Sequence, residues 1–193
     1  ICMSTERIIV DESIAEPFIA ALVKRVNGLP AGLLGSVVDN KTVERCNALI
    51  DDALAKGATL LTGGKADSTL MAATLLAGVT PEMRIWNEES FGPVKAVIRA
   101  RDEQDALRIA NDSAYGLSSA VYSRDTARAW NVAQNLQTGI CHINGPTVHD
   151  EAQMPFGGVK ASGYGHFGGQ QGINAFTETR WVTMQTTERQ YPF

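Results

Sequence analysis

Strand-like and helix-like hydrophobic patterns alternate along this chain, and their alternation limits the fold more than any other feature. Residues 7–10 are typical of a short strand, and apolar residues four positions apart then mark one face of an amphipathic helix: Ile14, Phe18, Leu22 and Val26. Further strand patterns follow, with helical spacing between them, at residues 58–61, 94–98, 118–122 and 140–143. This βαβα order predicts an α/β layered fold with a largely parallel sheet.

Residues that favour helix ends and turns stand between these patterns. Gly28 and Gly57 are positioned to end two helices, while Asp102 and Asp125 are positioned to cap the N-termini of two later ones. The stretch 157–172 is so rich in glycine that it predicts a surface or site-lining loop without regular structure.

Composition and charge argue against several classes of function. A net charge of −4 and the lack of a long basic run exclude nucleic acid and anionic membrane surfaces as expected partners. The most apolar stretch, residues 70–79, is far shorter than the roughly 20 residues of a membrane-spanning helix, so it is predicted to be core. The three cysteines, Cys2, Cys46 and Cys141, suggest no disulfide framework and favour a reducing, cytoplasmic compartment.

The opening Ile1-Cys2-Met3 segment offers a candidate nucleophile. A cysteine thiolate attacks carbonyl carbon atoms, but a lone cysteine between apolar residues is more often a small buried hydrophobic group. This segment alone leaves both interpretations open. Because the sequence opens with Ile1 and without a polar lead, we expect that it is cut from a longer protein.

The segment 87–94 is acidic and ends in a proline-led strand pattern. Pro93 restricts its own backbone and favours extended geometry in the residue before it, so the acidic residues are expected on a stiff turn. A carboxylate from Glu88 or Glu89 suits the adjacent hydroxyls of a ribose, and the ring of Phe91 suits a flat heterocycle. A solvated acidic turn is the alternative interpretation.

A long glycine-rich segment, residues 145–163, contains Phe156 and suits the wall of a pocket with aromatic surface. It carries neither the glycine-lysine pattern of a phosphate-binding loop nor a dinucleotide-binding glycine pattern in a strand-to-helix context. Potential metal ligands cluster nearby, but their spacing fits no zinc template and we predict no metal site. These residues are Cys141, His142, His149 and His166.

Three motifs, in this order, resemble the aldehyde dehydrogenase superfamily over essentially the whole chain. They are Ile1-Cys2-Met3-Ser4, Glu88-Glu89-Ser90-Phe91-Gly92-Pro93-Val94 and Pro155-Phe156-Gly157-Gly158-Val159-Lys160-Ala161-Ser162-Gly163. Residues 139–154 are most similar to the branch that acts on aromatic aldehydes, such as salicylaldehyde and vanillin dehydrogenases. The resemblance implies that family's layered βαβ catalytic domain over residues 1–180, lacking its start, and an NAD- or NADP-dependent oxidation of an aldehyde to its carboxylic acid.

The resemblance also implies roles for individual residues. Cys2 matches the nucleophile, which forms a thiohemiacetal and, after hydride transfer to the nicotinamide, a thioester that water cleaves; its own backbone amide matches an oxyanion donor. Glu89 matches the residue that holds the nicotinamide ribose, and Phe91 matches the ring against the nicotinamide. Where many members carry Gln and Lys near the cofactor, this chain has Thr42 and Arg45, and Arg45 is our candidate contact. The candidate residues for the aldehyde pocket are Thr147, Val148, Asp150 and Phe156.

The family's general-base Glu, its oxyanion Asn and its nucleotide-binding fold all precede the nucleophile. We therefore expect the chain alone to be inactive and to lack the cofactor-binding domain. Residues 181–184 have strand character, and the resemblance implies that residues 181–193 form a C-terminal strand and tail through which a homo-oligomer assembles. Pairing within the same chain is the alternative for this strand. An assembly or ligand-binding module without catalysis is the alternative function.

Overall fold

The computed structural model describes all residues from 1 to 193 and has the mixed α/β architecture that the alternating patterns predict. The strands, in chain order, are β1 (Arg7–Asp11), β2 (Thr59–Thr62), β3 (Thr74–Ala77), β4 (Val94–Ala100), β5 (Tyr115–Gly116), β6 (Ser118–Val121), β7 (Ile140–Ile143) and β8 (Val159–Lys160). The helices are α1 (Ala15–Asn27), α2 (Asn40–Ala55), α3 (Arg84–Asn87), α4 (Glu103–Asn111), α5 (Thr126–Asn135) and α6 (Gly169–Ala175). None of them combines the length and the apolar character that crossing a bilayer requires.

The main sheet has the strand order β1-β4-β3-β2. Strand β4 pairs in parallel with both β1 and β3, while β2 forms an antiparallel edge against β3, so the predicted, largely parallel sheet is confirmed. Strand β3 was recognised in the sequence only as part of an apolar core stretch. Because Thr74, Leu75 and Leu76 are all buried, this segment lacks the alternation of polar and apolar residues that identifies a strand.

Helices cover both faces of this sheet. Helix α2 packs Cys46, Leu49 and Ile50 into a cluster that includes alternate residues of β4. Helix α1 packs Ala15 and Ile19 into a second cluster on the opposite face. A sheet that is covered on both faces buries most residues of its central strands, and β4 buries all of its seven residues except Lys95 and Arg99.

The first half of the buried face of α1 differs from the predicted one by one position, whereas Leu22 and Val26 pack against the second cluster as predicted. Ile14 and Phe18 are 53% and 39% exposed, whereas Ala15 and Ile19 are buried. One position corresponds to a rotation of about 100° around the helix axis. Two neighbouring apolar stripes both contain Leu22, and the helical period alone does not decide which of them faces the sheet.

The predicted caps are confirmed. The side chain of Asp102 accepts a hydrogen bond from the backbone N–H of Asp105 at the start of α4, and Asp125 accepts one from the N–H of Arg128 at the start of α5. Helix α1 ends before Gly28, as expected. Gly57, which follows the end of α2, has a φ of 98°, a value that glycine adopts without steric cost.

One prediction for the later part of the chain is wrong at the level of secondary structure. The glycine-rich stretch 157–172 includes β8 and the start of α6, because its glycines serve close packing as well as turns: a Cβ atom at Gly157 would collide with the backbone oxygen of Gly165. Residues 181–184 have no regular secondary structure, and Trp181 is 89% exposed. A strand requires a hydrogen-bonded neighbour, and no edge within the chain pairs with this segment.

Candidate active site

The acidic segment forms a tight turn between α3 and β4, as the proline-led pattern predicts. Ser90 at its centre is fully buried, while Phe91 is 41% exposed and has a φ of 47°. A positive φ is uncommon for a residue with a bulky side chain, so the surrounding contacts must hold this conformation. The N–H of Thr74 donates to the carbonyl oxygen of Pro93 at 2.7 Å and joins the end of the turn to the start of β3.

The carboxylate of Glu6 holds one side of the turn. Its Oε2 accepts the N–H of Ser90 at 3.1 Å, and its Oε1 lies 3.1 Å from the hydroxyl of Ser90 and 3.3 Å from the N–H of Phe91. Lys95 completes the cluster, with its ammonium group 3.1 Å from Glu6 Oε1. Sequence reasoning missed Glu6, because its partners lie more than 80 residues away along the chain and no local pattern marks it.

Helix α2 holds the other side of the turn. The Nε and Nη2 atoms of Arg45 both donate to the carbonyl oxygen of Ser90, at 3.1 and 3.0 Å. Behind it, a Cβ atom at Gly92 would lie 2.6 Å from the Sγ of Cys46, so a larger residue at that position would have to displace the buried thiol. The turn is therefore clamped between the carboxylate of Glu6 and the guanidinium of Arg45.

A cleft of about 550 Å³ opens beside this turn. It brings together the three predicted cofactor-contacting residues, which are on α2 and on the turn. The residues that line it are Val38, Thr42, Arg45, Asn87, Glu88, Glu89, Phe91 and Tyr115.

The two adjacent acids of the turn differ in their surroundings. The guanidinium of Arg84 binds both oxygens of Glu88, at 2.7 and 2.8 Å, and these hydrogen bonds hold the pKa of Glu88 below its usual range. Glu89 is exposed and makes no hydrogen bond within the chain. Of the pair, Glu89 is the carboxylate with both oxygens available to a ligand.

Cys2 lies in an exposed turn in which the N–H of Ser4 donates to the carbonyl oxygen of Ile1 at 2.9 Å. The segment that carries it is fixed immediately afterwards at two points. The hydroxyls of Thr5 and Thr147 share a hydrogen bond of 3.0 Å, and Glu6 binds the turn before β4. The candidate nucleophile is thus joined by short links to the turn before β4 and to the loop that carries Thr147.

The predicted aldehyde-pocket residues are only partly brought together. Thr147 reaches the segment of Cys2 through Thr5, and its carbonyl oxygen accepts the hydroxyl of Ser118 at 2.8 Å. Val148 and Asp150 are exposed on the same loop. Phe156 lies farther along, where its backbone forms a bridge of two 2.7 Å hydrogen bonds with Phe167. None of these three has a hydrogen bond to residues 1–6.

His142, in β7, and His149, in the loop after it, form no metal centre. The rings of His142 and His149 meet edge to face with centroids 5.2 Å apart, and the Nε2 of His149 lies 3.0 Å from the carboxylate of Glu151. No three His, Cys, Asp or Glu side chains come together in a way that would hold a metal ion.

Comparison with known proteins decides the family. The family described as "Aldehyde dehydrogenase family" matches residues 1–182. The chain belongs to the aldehyde dehydrogenase family. A vanillin dehydrogenase from Pseudomonas fluorescens is 56% identical over 199 residues, which cover 100% of this chain and 41% of the relative. This aldehyde dehydrogenase chain therefore spans less than half the length of that curated relative.

Solved aldehyde dehydrogenase structures have the same fold. A salicylaldehyde dehydrogenase from Pseudomonas putida, complexed with salicylaldehyde, matches with a TM-score of 0.92 and 48% identity, covering 100% of this chain and 42% of that one. An NADP-dependent glyceraldehyde-3-phosphate dehydrogenase from Bacillus halodurans, complexed with NADP, matches with a TM-score of 0.86 and 39% identity, covering 91% of this chain and 38% of that one.

The surroundings of the cysteines predict selective alkylation. We expect iodoacetamide to modify Cys2 much faster than Cys46, because Cys2 is exposed whereas Cys46 is fully buried and its burial raises the pKa of its thiol. A time course of labelling followed by peptide mass spectrometry measures both rates. In urea the two rates should converge, and native labelling of Cys46 as fast as that of Cys2 would contradict the described packing.

Proposed function

We propose that this chain is the thiol-bearing part of an NAD- or NADP-dependent dehydrogenase that oxidises an aromatic aldehyde to its carboxylic acid. The observation that carries the proposal is the direct link from the segment of Cys2, through Glu6, to the turn that presents Glu89 and Phe91. The chain spans only 41–42% of its relatives, so the activity is proposed for a longer protein that contains it.

Cys2 is the proposed nucleophile. Its thiolate forms a bond to the aldehyde carbon, the oxygen becomes an alkoxide, and the backbone N–H of Cys2 stabilises that charge. Loss of hydride from this carbon leaves a thioester on Cys2, and attack by water then breaks the carbon–sulfur bond and releases the acid. A bound nicotinamide supplies the hydride acceptor.

The cleft beside the turn suits a nicotinamide nucleotide. The unpaired carboxylate of Glu89 matches two adjacent ribose hydroxyls, and the exposed ring of Phe91 offers a flat apolar face to the nicotinamide. Arg45 lines the same cleft but uses two of its nitrogen atoms to hold the turn. Its proposed contact with the cofactor therefore depends on the remaining Nη1.

The names of the relatives support an aromatic substrate. The vanillin and salicylaldehyde dehydrogenases that match the whole chain are named for aromatic aldehydes that also carry a hydroxyl group. In this proposal Thr147, Val148, Asp150 and Phe156 line the aldehyde pocket. Thr147 is the best supported of the four because it is hydrogen-bonded to the segment that carries Cys2.

The nucleophile assignment makes a direct prediction. In the whole protein, Cys2→Ala should lower the turnover of aldehyde by about a thousandfold or more, since the covalent step is lost, while cofactor binding stays intact. Steady-state kinetics with an aromatic aldehyde and a fluorescence titration with NADH measure the two effects. Cys141→Ala is the matched control and should retain activity. If Cys2→Ala kept a tenth of the wild-type turnover, Cys2 would not be the nucleophile.

The substrate assignment makes a second prediction. We expect kcat/KM to be higher for benzaldehyde, salicylaldehyde and vanillin than for acetaldehyde, because an aromatic ring buries more apolar surface in the pocket. Initial rates of NADH or NADPH formation over a range of each aldehyde decide the order. A higher kcat/KM for acetaldehyde would reject the aromatic branch.

The C-terminal segment carries a proposal about assembly. Trp181, Val182 and Met184 are 89%, 73% and 85% exposed, and their segment pairs with no strand of the chain. Exposed apolar side chains on an unpaired, strand-prone segment favour pairing with the sheet edge of another subunit. We therefore assign residues 181–193 to subunit contact in a homo-oligomer.

Deletion of residues 181–193 from the whole protein tests this assignment. We expect the molar mass in solution, measured by light scattering after size-exclusion chromatography, to fall to that of a smaller species. The substitution Trp181→Ser is a milder companion variant, which should weaken the oligomer in proportion to the apolar surface lost. An unchanged mass for both variants would exclude this segment as the contact.

A further inference from the structure

We propose that Glu6 is a positioning residue for hydride transfer. Its carboxylate fixes the turn that presents Glu89 and Phe91 relative to the segment that carries Cys2. This inference rests on the proposed function, since it concerns the alignment of the nicotinamide with the carbon atom bound to Cys2.

The sheet places Glu6 where it can perform this task. Strands β1 and β4 are parallel, with Arg7 opposite Ala96, so the residues that precede each strand lie at the same edge of the sheet. Cys2 and Glu6 precede β1, and the turn precedes β4. The N–H of Ala96 donates to the backbone oxygen of Glu6 at 3.3 Å, so the backbone of Glu6 extends the pairing beyond β1.

A carboxylate is the side chain that fits the donors present. The N–H groups of Ser90 and Phe91, the hydroxyl of Ser90 and the ammonium of Lys95 all lie within 3.3 Å of its two oxygen atoms. Four donors from three residues need about four lone pairs, which an ionised carboxylate supplies and an amide or hydroxyl does not. Glu6 is 28% exposed and Ser90 is fully buried, so water competes poorly for these bonds.

The hydrogen bonds of Glu6 fix the backbone of Phe91, whose ring is proposed to contact the nicotinamide. Phe91 has a positive φ and lines the cleft, and Glu6 binds the N–H of Phe91 itself. Within the turn, Arg45 binds only the carbonyl oxygen of Ser90, on the opposite side. Without Glu6 the turn would keep its attachment to α2 and lose its attachment to the segment of Cys2.

The test uses the whole enzyme with the variants Glu6→Ala and Glu6→Gln. Hydride transfer is followed as the burst of NADH or NADPH in stopped flow, and the cofactor dissociation constant is measured by titration. A second reaction, the release of p-nitrophenolate from p-nitrophenyl acetate, reports acylation of Cys2 without any hydride acceptor. Glu12→Ala is the control, because Glu12 also pairs with a basic residue, Arg99 at 2.9 Å, but follows β1 at its far end.

We expect Glu6→Ala to slow hydride transfer about 10- to 100-fold, the effect of a misplaced reacting group, and to weaken cofactor binding. Ester cleavage should stay at the wild-type rate. Glu6→Gln has the same shape and keeps one acceptor oxygen, so its rate of hydride transfer should lie between those of Glu6→Ala and wild type. If Glu6→Ala does not fold, Glu6→Gln still tests the proposal.

Two outcomes would overturn the proposal: unchanged hydride transfer in both variants, or equal losses in hydride transfer and ester cleavage, which would indicate a general structural role. Failure of the proposed function looks different. In that case Cys2→Ala would keep dehydrogenase activity or the wild-type enzyme would oxidise no aldehyde, irrespective of what happens at Glu6.

Discussion

The parallel pairing of β1 with β4 is the interaction on which the rest of the structure depends. Because both strands run in the same direction, the segments that precede them emerge at one edge of the sheet, and these segments carry Cys2 and the turn with Glu89 and Phe91. The same pairing presents alternate residues of β4 to two separate clusters, so one pair of strands organises both the core and the candidate active site. A shift of the register by one residue would reverse the two faces and move these segments about 3.3 Å relative to each other.

The turn before β4 illustrates how a functional surface is made rigid. The carboxylate of Glu6 binds its peptide N–H groups on one side, and the guanidinium of Arg45 binds a peptide carbonyl oxygen on the other. Phe91, which carries the exposed ring, has an uncommon backbone conformation with a positive φ. Glu88 is neutralised locally by Arg84, which leaves Glu89 available. The rigid parts of the turn therefore face the protein, and the groups able to bind a ligand face the cleft.

Local sequence patterns predicted much of the fold. The strands β1, β4 and β7, the helix α2 and the caps at Asp102 and Asp125 follow from hydrophobic period and capping chemistry, which act over a few residues. Strand β3 did not follow, because its character depends on burial by distant segments, and neither did β8 and the start of α6, which depend on close backbone packing. The predicted strand at residues 181–184 is β-prone in sequence, but without a paired edge that propensity produces no strand.

By itself the sequence determined the α/β class, the family resemblance and the candidate residues Cys2, Glu89 and Phe91, since each depends on residue type and local order. Only the tertiary structure decided that Glu88 is bound by Arg84 while Glu89 is not, that Arg45 clamps the turn, and that Glu6 joins two of the three motifs. The physical reason is that hydrogen bonds between side chains and distant backbone groups depend on how strands pair. A residue such as Glu6, whose partners lie more than 80 positions away, leaves no local pattern in the sequence.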